Sequence, residues 1–184
     1  MVEWWETQPD DSPGFAEWLR SFFRFDAADP GEVDADNRRW FRDYFADTGP
    51  VSSEIVGRGF RTRQAEVVTE AVAAVRSDLE RATSEHVNIV VELDEWGGVR
   101  VAVDGCYSGS PVSHIERAEV LVEIADDVQE LWYGPVINGR FTCWPECRTH
   151  NVGLHPEVRD AHAVWWCRLG QHVIAAIGQL DPVG

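Results

Sequence analysis

The stretch Phe-Thr-Cys143-Trp-Pro-Glu-Cys147-Arg-Thr-His150 is followed, after a spacer, by Trp165-Trp166-Cys167-Arg-Leu-Gly-Gln-His172. Thiolate and imidazole are ligands that zinc favours, and structural zinc sites close with four of them in a tetrahedron. Two turns, each offering a Cys/His pair, therefore point to one site built from Cys147 and His150 together with Cys167 and His172. Cys143, four residues before Cys147, competes for a place and can substitute for either histidine. His155 and His162 read as surface residues. Four protein ligands leave no position for a catalytic water, so the expected metal is a structural Zn2+.

Such a site needs two tight knuckles, and the flanking residues supply them in the manner of a zinc ribbon. Phe141 to Trp144 reads as an approach strand that Pro145 ends. Ala163 to Trp166 reads as a second strand, Arg168-Leu-Gly170-Gln as its turn, and His172 to Ile177 as the return strand. Cys167 and His172 then face each other across that turn.

A second segment with chemical potential is Val-Arg-Val-Ala-Val-Asp104-Gly105-Cys106-Tyr107-Ser108-Gly109. It resembles the strand and Asp-x-Cys-x-Ser-Gly segment that carries the nucleophile of caspase-like and metacaspase-like peptidases. That resemblance implies a cysteine hydrolase using Cys106, with a His-Gly pair roughly 50 residues upstream as the base. No such pair is present. His86 opens a strand that reads as the hairpin partner of the Cys106 strand, which suits antiparallel pairing and not the parallel sheet of such peptidases. His114 lies downstream in another setting. Cys106 accordingly reads as a buried or loop thiol, with the hydrolase as the alternative function.

Three regions must position these residues. Residues 1–60 read as an N-terminal extension of short aromatic helices. Ser12-Pro13 supplies a cap and a first helical position, after which Phe15, Trp18, Leu19, Phe22 and Phe23 recur at helical spacing. Asp34 or Asp36 caps a second helix bearing Trp40, Phe41, Tyr44 and Phe45. These aromatics either fill the protein's own core or form a docking surface for another protein.

Residues 61–136 read as an α+β core. Val68, Val72, Val75, Leu79 and Ala82 line one face of a helix from about Thr62 to Ser84. Val87, Ile89, Val91 and Leu93 alternate, Asp94 to Gly98 turns, and Val99, Val101 and Val103 alternate again, which predicts a β-hairpin. Ser113-His-Ile-Glu116 is a capping-box pattern opening a helix that buries Leu121, Ile124, Ala125, Val128, Leu131 and Trp132. Helix, hairpin and helix form one layer, and residues 137–184 form the zinc-ribbon-like segment packed on it. The fold class is α+β.

Composition narrows the function. A hydrophobic share of 44% and an aromatic share of 11%, with nine Trp, predict a folded chain and not a disordered one. Acidic residues outnumber basic ones 32 to 16, a formal charge of -16, which repels phosphate backbones and anionic membranes. All 16 basic side chains are Arg, as a GC-rich coding sequence favours. The acidic opening Met-Val-Glu-Trp-Trp-Glu predicts no secretory signal, and no apolar run suggests a membrane span. A cytoplasmic setting follows, where clustered cysteines stay reduced and ligate metals.

Val128-Gln-Glu, Cys-Trp144-Pro-Glu-Cys147-Arg-Thr-His150, Leu154-His-Pro-Glu-Val158-Arg-Asp160, Ala-Val-Trp-Trp-Cys167 and Val-Ile-Ala-Ala-Ile-Gly178 together resemble small proteins of high-GC actinobacteria. In those, Trp-Pro-x-Cys-x2-His is followed by a Leu, a charged link, Trp-x-Cys and an Ala-x-Ile/Val-Gly ending. The resemblance covers about residues 85–180. It implies Cys147, His150 and Cys167 as a unit, leaves the fourth ligand open between His172 and Cys143, and brings no activity with it.

The leading functional reading is a non-enzymatic, acidic protein-protein interaction module, acting as an adaptor, an inhibitor or a small assembly subunit, with a basic surface on its partner. Besides the Cys106 hydrolase, a further alternative is nucleic-acid binding through the ribbon with Arg140, Arg148, Arg159 and Arg168, which the overall charge disfavours.

Overall fold

Ser12 and Pro13 open the first helix as their chemistry dictates. The Ser12 hydroxyl accepts a hydrogen bond from the Phe15 amide at 3.2 Å, and the Ser12 carbonyl accepts one from Ala16 at 3.0 Å. A serine cap followed by proline uses the one helical position where a missing N–H costs nothing. The computed structural model describes residues 12–23, 35–83, 86–93, 98–133 and 144–181. The side chains of Phe22 and Phe23, the cap candidate Asp34, most of the turn from Asp94, Cys143 with the strand expected before it, and Arg140 lie outside the described residues.

The chain divides into two compact units, Met1–Thr62 and Arg63–Gly184. The helices are α1 Pro13–Phe23, α2 Ala35–Thr48, α3 Ser53–Thr83 and α4 Arg117–Tyr133. In the first unit Phe15, Trp18, Leu19 and Val56 are buried, and Trp40, Phe41, Tyr44, Phe45 and Val51 pack against them. The aromatics thus form a cluster of their own. Trp18 satisfies its indole N–H on the Val51 carbonyl at 2.9 Å, and Phe41 stacks on Phe60 with ring centroids 5.7 Å apart. Asp36 falls inside α2, and its side chain lies outside the described residues.

Helix α3 starts nine residues before the periodic stretch from Thr62, at Ser53. Gly57 and Gly59 lower the helix propensity of that added segment, and tertiary packing offsets it. Val56 is buried, and a Cβ at Gly59 would meet the Tyr44 ring at 3.0 Å, so the glycine admits the aromatic.

In the second unit Val68, Val72, Val75 and Leu79 of α3 are buried, as their spacing predicts. Strands β1 Ile89–Leu93, β2 Val99–Val103 and β3 Cys106–Tyr107 form an antiparallel sheet in that order, with Ile89 opposite Val103 and Val91 opposite Val101. In α4, Val120, Ile124, Ala125, Val128 and Trp132 are buried, while Leu121 and Leu131 are half-buried.

The capping box is not formed. Helix α4 begins at Arg117, its first turn closed by the Val120 amide on the Glu116 carbonyl at 2.9 Å. Ser113 turns to Glu123 instead, whose carboxylate accepts its amide at 2.9 Å and its hydroxyl at 3.1 Å. The Glu123 carboxylate thus takes the Ser113 amide that the pattern assigns to Glu116, and it gathers the Ser113 hydroxyl and His114 Nδ1 as well.

The remaining strands are β4 Glu146–Cys147 with β5 Val152–Gly153, and the antiparallel sheet of β6 His155–Arg159, β7 His162–Cys167 and β8 His172–Ala176. Trp165 of β7 and the residues flanking these strands, Trp144, Leu154, Ile177 and Leu180, share one core with α3, α4 and β1–β2. Two buried polar side chains bind the layers. Gln129 of α4 donates to the carbonyls of Trp144 at 2.8 Å and Leu154 at 3.0 Å. Asp78 of α3, fully buried, accepts from the Trp165 indole at 2.7 Å and from the amides of Gly178 at 2.6 Å and Leu180 at 2.9 Å. Burial pushes the Asp78 carboxyl above the ordinary carboxylate range against the pull of these donors and of Arg81. The architecture is α+β, helices with small antiparallel sheets. Among the described residues no helix is long and apolar enough to cross a membrane.

Candidate metal centre

The two turns that follow Cys147 and Cys167 are built alike. Between β4 and β5 the chain reverses over Arg148 to Asn151, with Asn151 in the left-handed region at φ 51°. The Cys147 carbonyl accepts from the amides of His150 at 3.1 Å and Asn151 at 2.7 Å, which folds His150 back toward the cysteine. Between β7 and β8 the chain reverses over Arg168 to Gln171, Gln171 having φ 51°, and Cys167 pairs directly with His172 across the hairpin. Asparagine and glutamine accept this backbone more readily than branched residues do.

The result is that Cys147, His150, Cys167 and His172 each point one donor atom at a common point, and the four atoms lie within 4.8 Å of one another. His150 Nδ1 is 3.3 Å from Cys147 Sγ and 3.4 Å from Cys167 Sγ, and His172 Nε2 is 3.6 Å from Cys147 Sγ. Both cysteines are free thiols with 0% exposure, and both histidines are half-buried. Such a cluster can hold a metal ion.

No protein-family model, no curated protein and no solved structure matches the chain. The site must speak through its own chemistry.

Backbone N–H groups support both sulfurs. The Gly170 amide donates to Cys167 Sγ at 3.3 Å, and the His150 amide donates to the Cys147 thiol, so each sulfur receives an N–H from the residue three positions on. Burial pushes the Cys147 thiol up. The imidazoles of His172 and His150, the His150 amide and the Cys167 thiol outweigh that and bring it down to about 6 from 9.0. A thiolate is the form that ligates metal.

The other candidate residues are placed elsewhere. Cys106 is half-buried in β3, whose neighbour β2 runs antiparallel. His86 is engaged by Glu80 at 2.7 Å, and His114 by Glu123 at 2.9 Å. His162 is exposed and His155 half-buried. Of the arginines considered for nucleic acid, Arg159 and Arg168 both pair with Glu157, at 2.6 and 3.1 Å, and Arg159 lies over the Trp166 ring at 4.2 Å. Those two guanidinium groups hold Glu157 below its ordinary range despite the opposing effect of burial.

Sequence reasoning misses the supporting residues. Gly170 is legible as a turn residue but not as a hydrogen-bond donor to sulfur. Gln129 and Asp78 carry no local signal, since their partners lie 15 to 102 residues away.

Proposed function

We propose that the chain is a non-enzymatic acidic interaction module whose C-terminal turns form a zinc-ribbon-like element closed on one structural Zn2+. The observation that carries this reading is the convergence of Cys147, His150, Cys167 and His172 from two turns on one point. With zinc bonds of about 2.3 Å to sulfur and about 2.0–2.1 Å to nitrogen, a tetrahedral sulfur-to-nitrogen edge is about 3.5 Å. The separations of 3.3, 3.4 and 3.6 Å fit that edge. Two thiolates and two imidazoles suit zinc and not magnesium or calcium, which take oxygen. Four protein donors complete the coordination, so the ion braces the fold and has no position for a reacting water.

The interaction role rests on the surface. A charge of -16 favours a partner with a basic face. Leu169, Val173 and Ile174, 67%, 49% and 41% exposed on the β7–β8 hairpin, add apolar area beside the centre. The thiolate ligands suit the reducing cytoplasm. Native mass spectrometry of the full chain is the direct test. One zinc per chain is expected, lost on treatment with a chelator and absent from Cys147→Ser with Cys167→Ser. A metal-free mass after purification in zinc-containing buffer would sink the reading.

A further inference from the structure

We propose that the two histidines of this centre ligate through different nitrogens, His150 through Nδ1 and His172 through Nε2, and that Gly170 is the positioning residue for His150. The inference rests on the metal reading above and deepens it.

Nδ1 of His150 is the nitrogen that faces both sulfurs, at 3.3 Å from Cys147 and 3.4 Å from Cys167. For His172 the nitrogen nearest a ligand sulfur is Nε2, at 3.6 Å from Cys147. Chain geometry accounts for the asymmetry. His150 is brought back onto Cys147 by a turn closed on the Cys147 carbonyl, so its ring starts close to the sulfurs and its near nitrogen meets them. His172 stands across the β7–β8 ladder from Cys167 and reaches over to the sulfur of the other turn, a span that requires the far nitrogen.

The His150 ring takes this position over a residue without a side chain. A Cβ at Gly170 would lie 2.3 Å from Cε1, 2.8 Å from Nδ1 and 3.2 Å from Nε2 of His150. To admit such a Cβ, the ring or the turn that carries Gly170 must shift. Gly170 is not among the described residues with positive φ, so clearance and not backbone freedom demands the glycine. Its amide meanwhile donates to Cys167 Sγ at 3.3 Å. One residue therefore supports a ligand sulfur through its N–H and clears space for a ligand imidazole through its missing Cβ.

The test uses the full chain loaded with zinc and labelled with heavy nitrogen in histidine. Long-range proton–nitrogen correlation spectra distinguish a ring bound through Nδ1, which carries its proton on Nε2, from the reverse. The expected spectrum has His150 bound through Nδ1 and His172 through Nε2. Two rings bound through the same type of nitrogen overturn the assignment.

Gly170→Ala should weaken zinc binding about ten-fold or more in competition with a chromophoric chelator, as loss of a supporting contact commonly does. Gly109→Ala, whose added methyl meets nothing within 4 Å, should leave it unchanged. Equal affinities in the two variants would remove the role given to Gly170. The wild-type spectra do not depend on how either variant folds. Failure of the metal reading itself looks different, as a wild-type chain that takes up no zinc by mass.

Discussion

Cys147 concentrates the chemistry of the centre in one titratable atom. Burial raises its thiol, and two imidazoles, a backbone amide and the neighbouring Cys167 bring it down to about 6 from 9.0. Between those two values the unfolded chain holds a proton on this sulfur that the folded chain has released. Stability of the metal-free protein therefore rises with pH across that window, and the contribution fades as pH falls through about 6. Urea midpoints of chelator-treated protein should climb from the lower to the upper end of the window, with a slope approaching one proton. Cys147→Ser should flatten the climb; a variant as steep as wild type would show that another group titrates. At this scale the sequence is informative about pairs and silent about their meeting. Cys147 with His150, and Cys167 with His172, are legible because each pair lies within one turn. That His150 also touches Cys167, 17 residues on, depends on how two hairpins pack.

The elements show the same division between local and distant causes. The buried faces of α3 and α4 and the β1–β2 register follow from apolar spacing, because period 3.6 and period 2 are local properties. The capping box at Ser113 gives way to Glu123, ten residues away, whose carboxylate takes the Ser113 amide and hydroxyl together with His114 Nδ1, a convergence that no four-residue pattern contains. Asp78 is the extreme case, reaching 87 residues to Trp165 and 102 to Leu180. It ties α3 to the chain that leaves β8, and its loss strands an indole and two backbone N–H groups in the core. Asp78→Ala should cost roughly 3 kcal/mol or more, since each orphaned buried donor costs about 1–3 kcal/mol. Arg81→Ala should cost less. Its guanidinium is 43% exposed and 3.8 Å from the carboxylate, and its own bonds to the Gly178 and Leu180 carbonyls are long, at 3.2 and 3.3 Å. Denaturant unfolding of the two variants decides the matter, and equal losses would mean that Arg81 carries as much of the anchor as the hydrogen bonds to Asp78.

For the molecule as a whole the question is how far the centre holds up the fold. A ribbon standing alone would unravel without metal, because its ligands replace a core. Here Trp144, Leu154 and Trp165 belong to the same buried cluster as Val75, Ile124 and Val128, and Gln129 and Asp78 add buried hydrogen bonds that need no ion. Apolar burial and these bonds should keep strand β7 in place when the metal is removed. What would depend on a bound ion is the pair of turns, Arg148 to Asn151 and Arg168 to Gln171, which carry or flank the four donors. Chelation should therefore speed amide hydrogen exchange in those turns and at the ends of β4, β5 and β8. Amides of α3, α4 and β2 should keep most of their protection. The aromatic cluster around Trp18, in the other unit, should exchange at the same rate with and without metal. Loss of protection throughout Arg63–Gly184 would mean that the apolar core is insufficient and that the ion is a condition of folding. Unchanged exchange in both turns would mean that packing alone gathers the four donors and that the ion braces nothing.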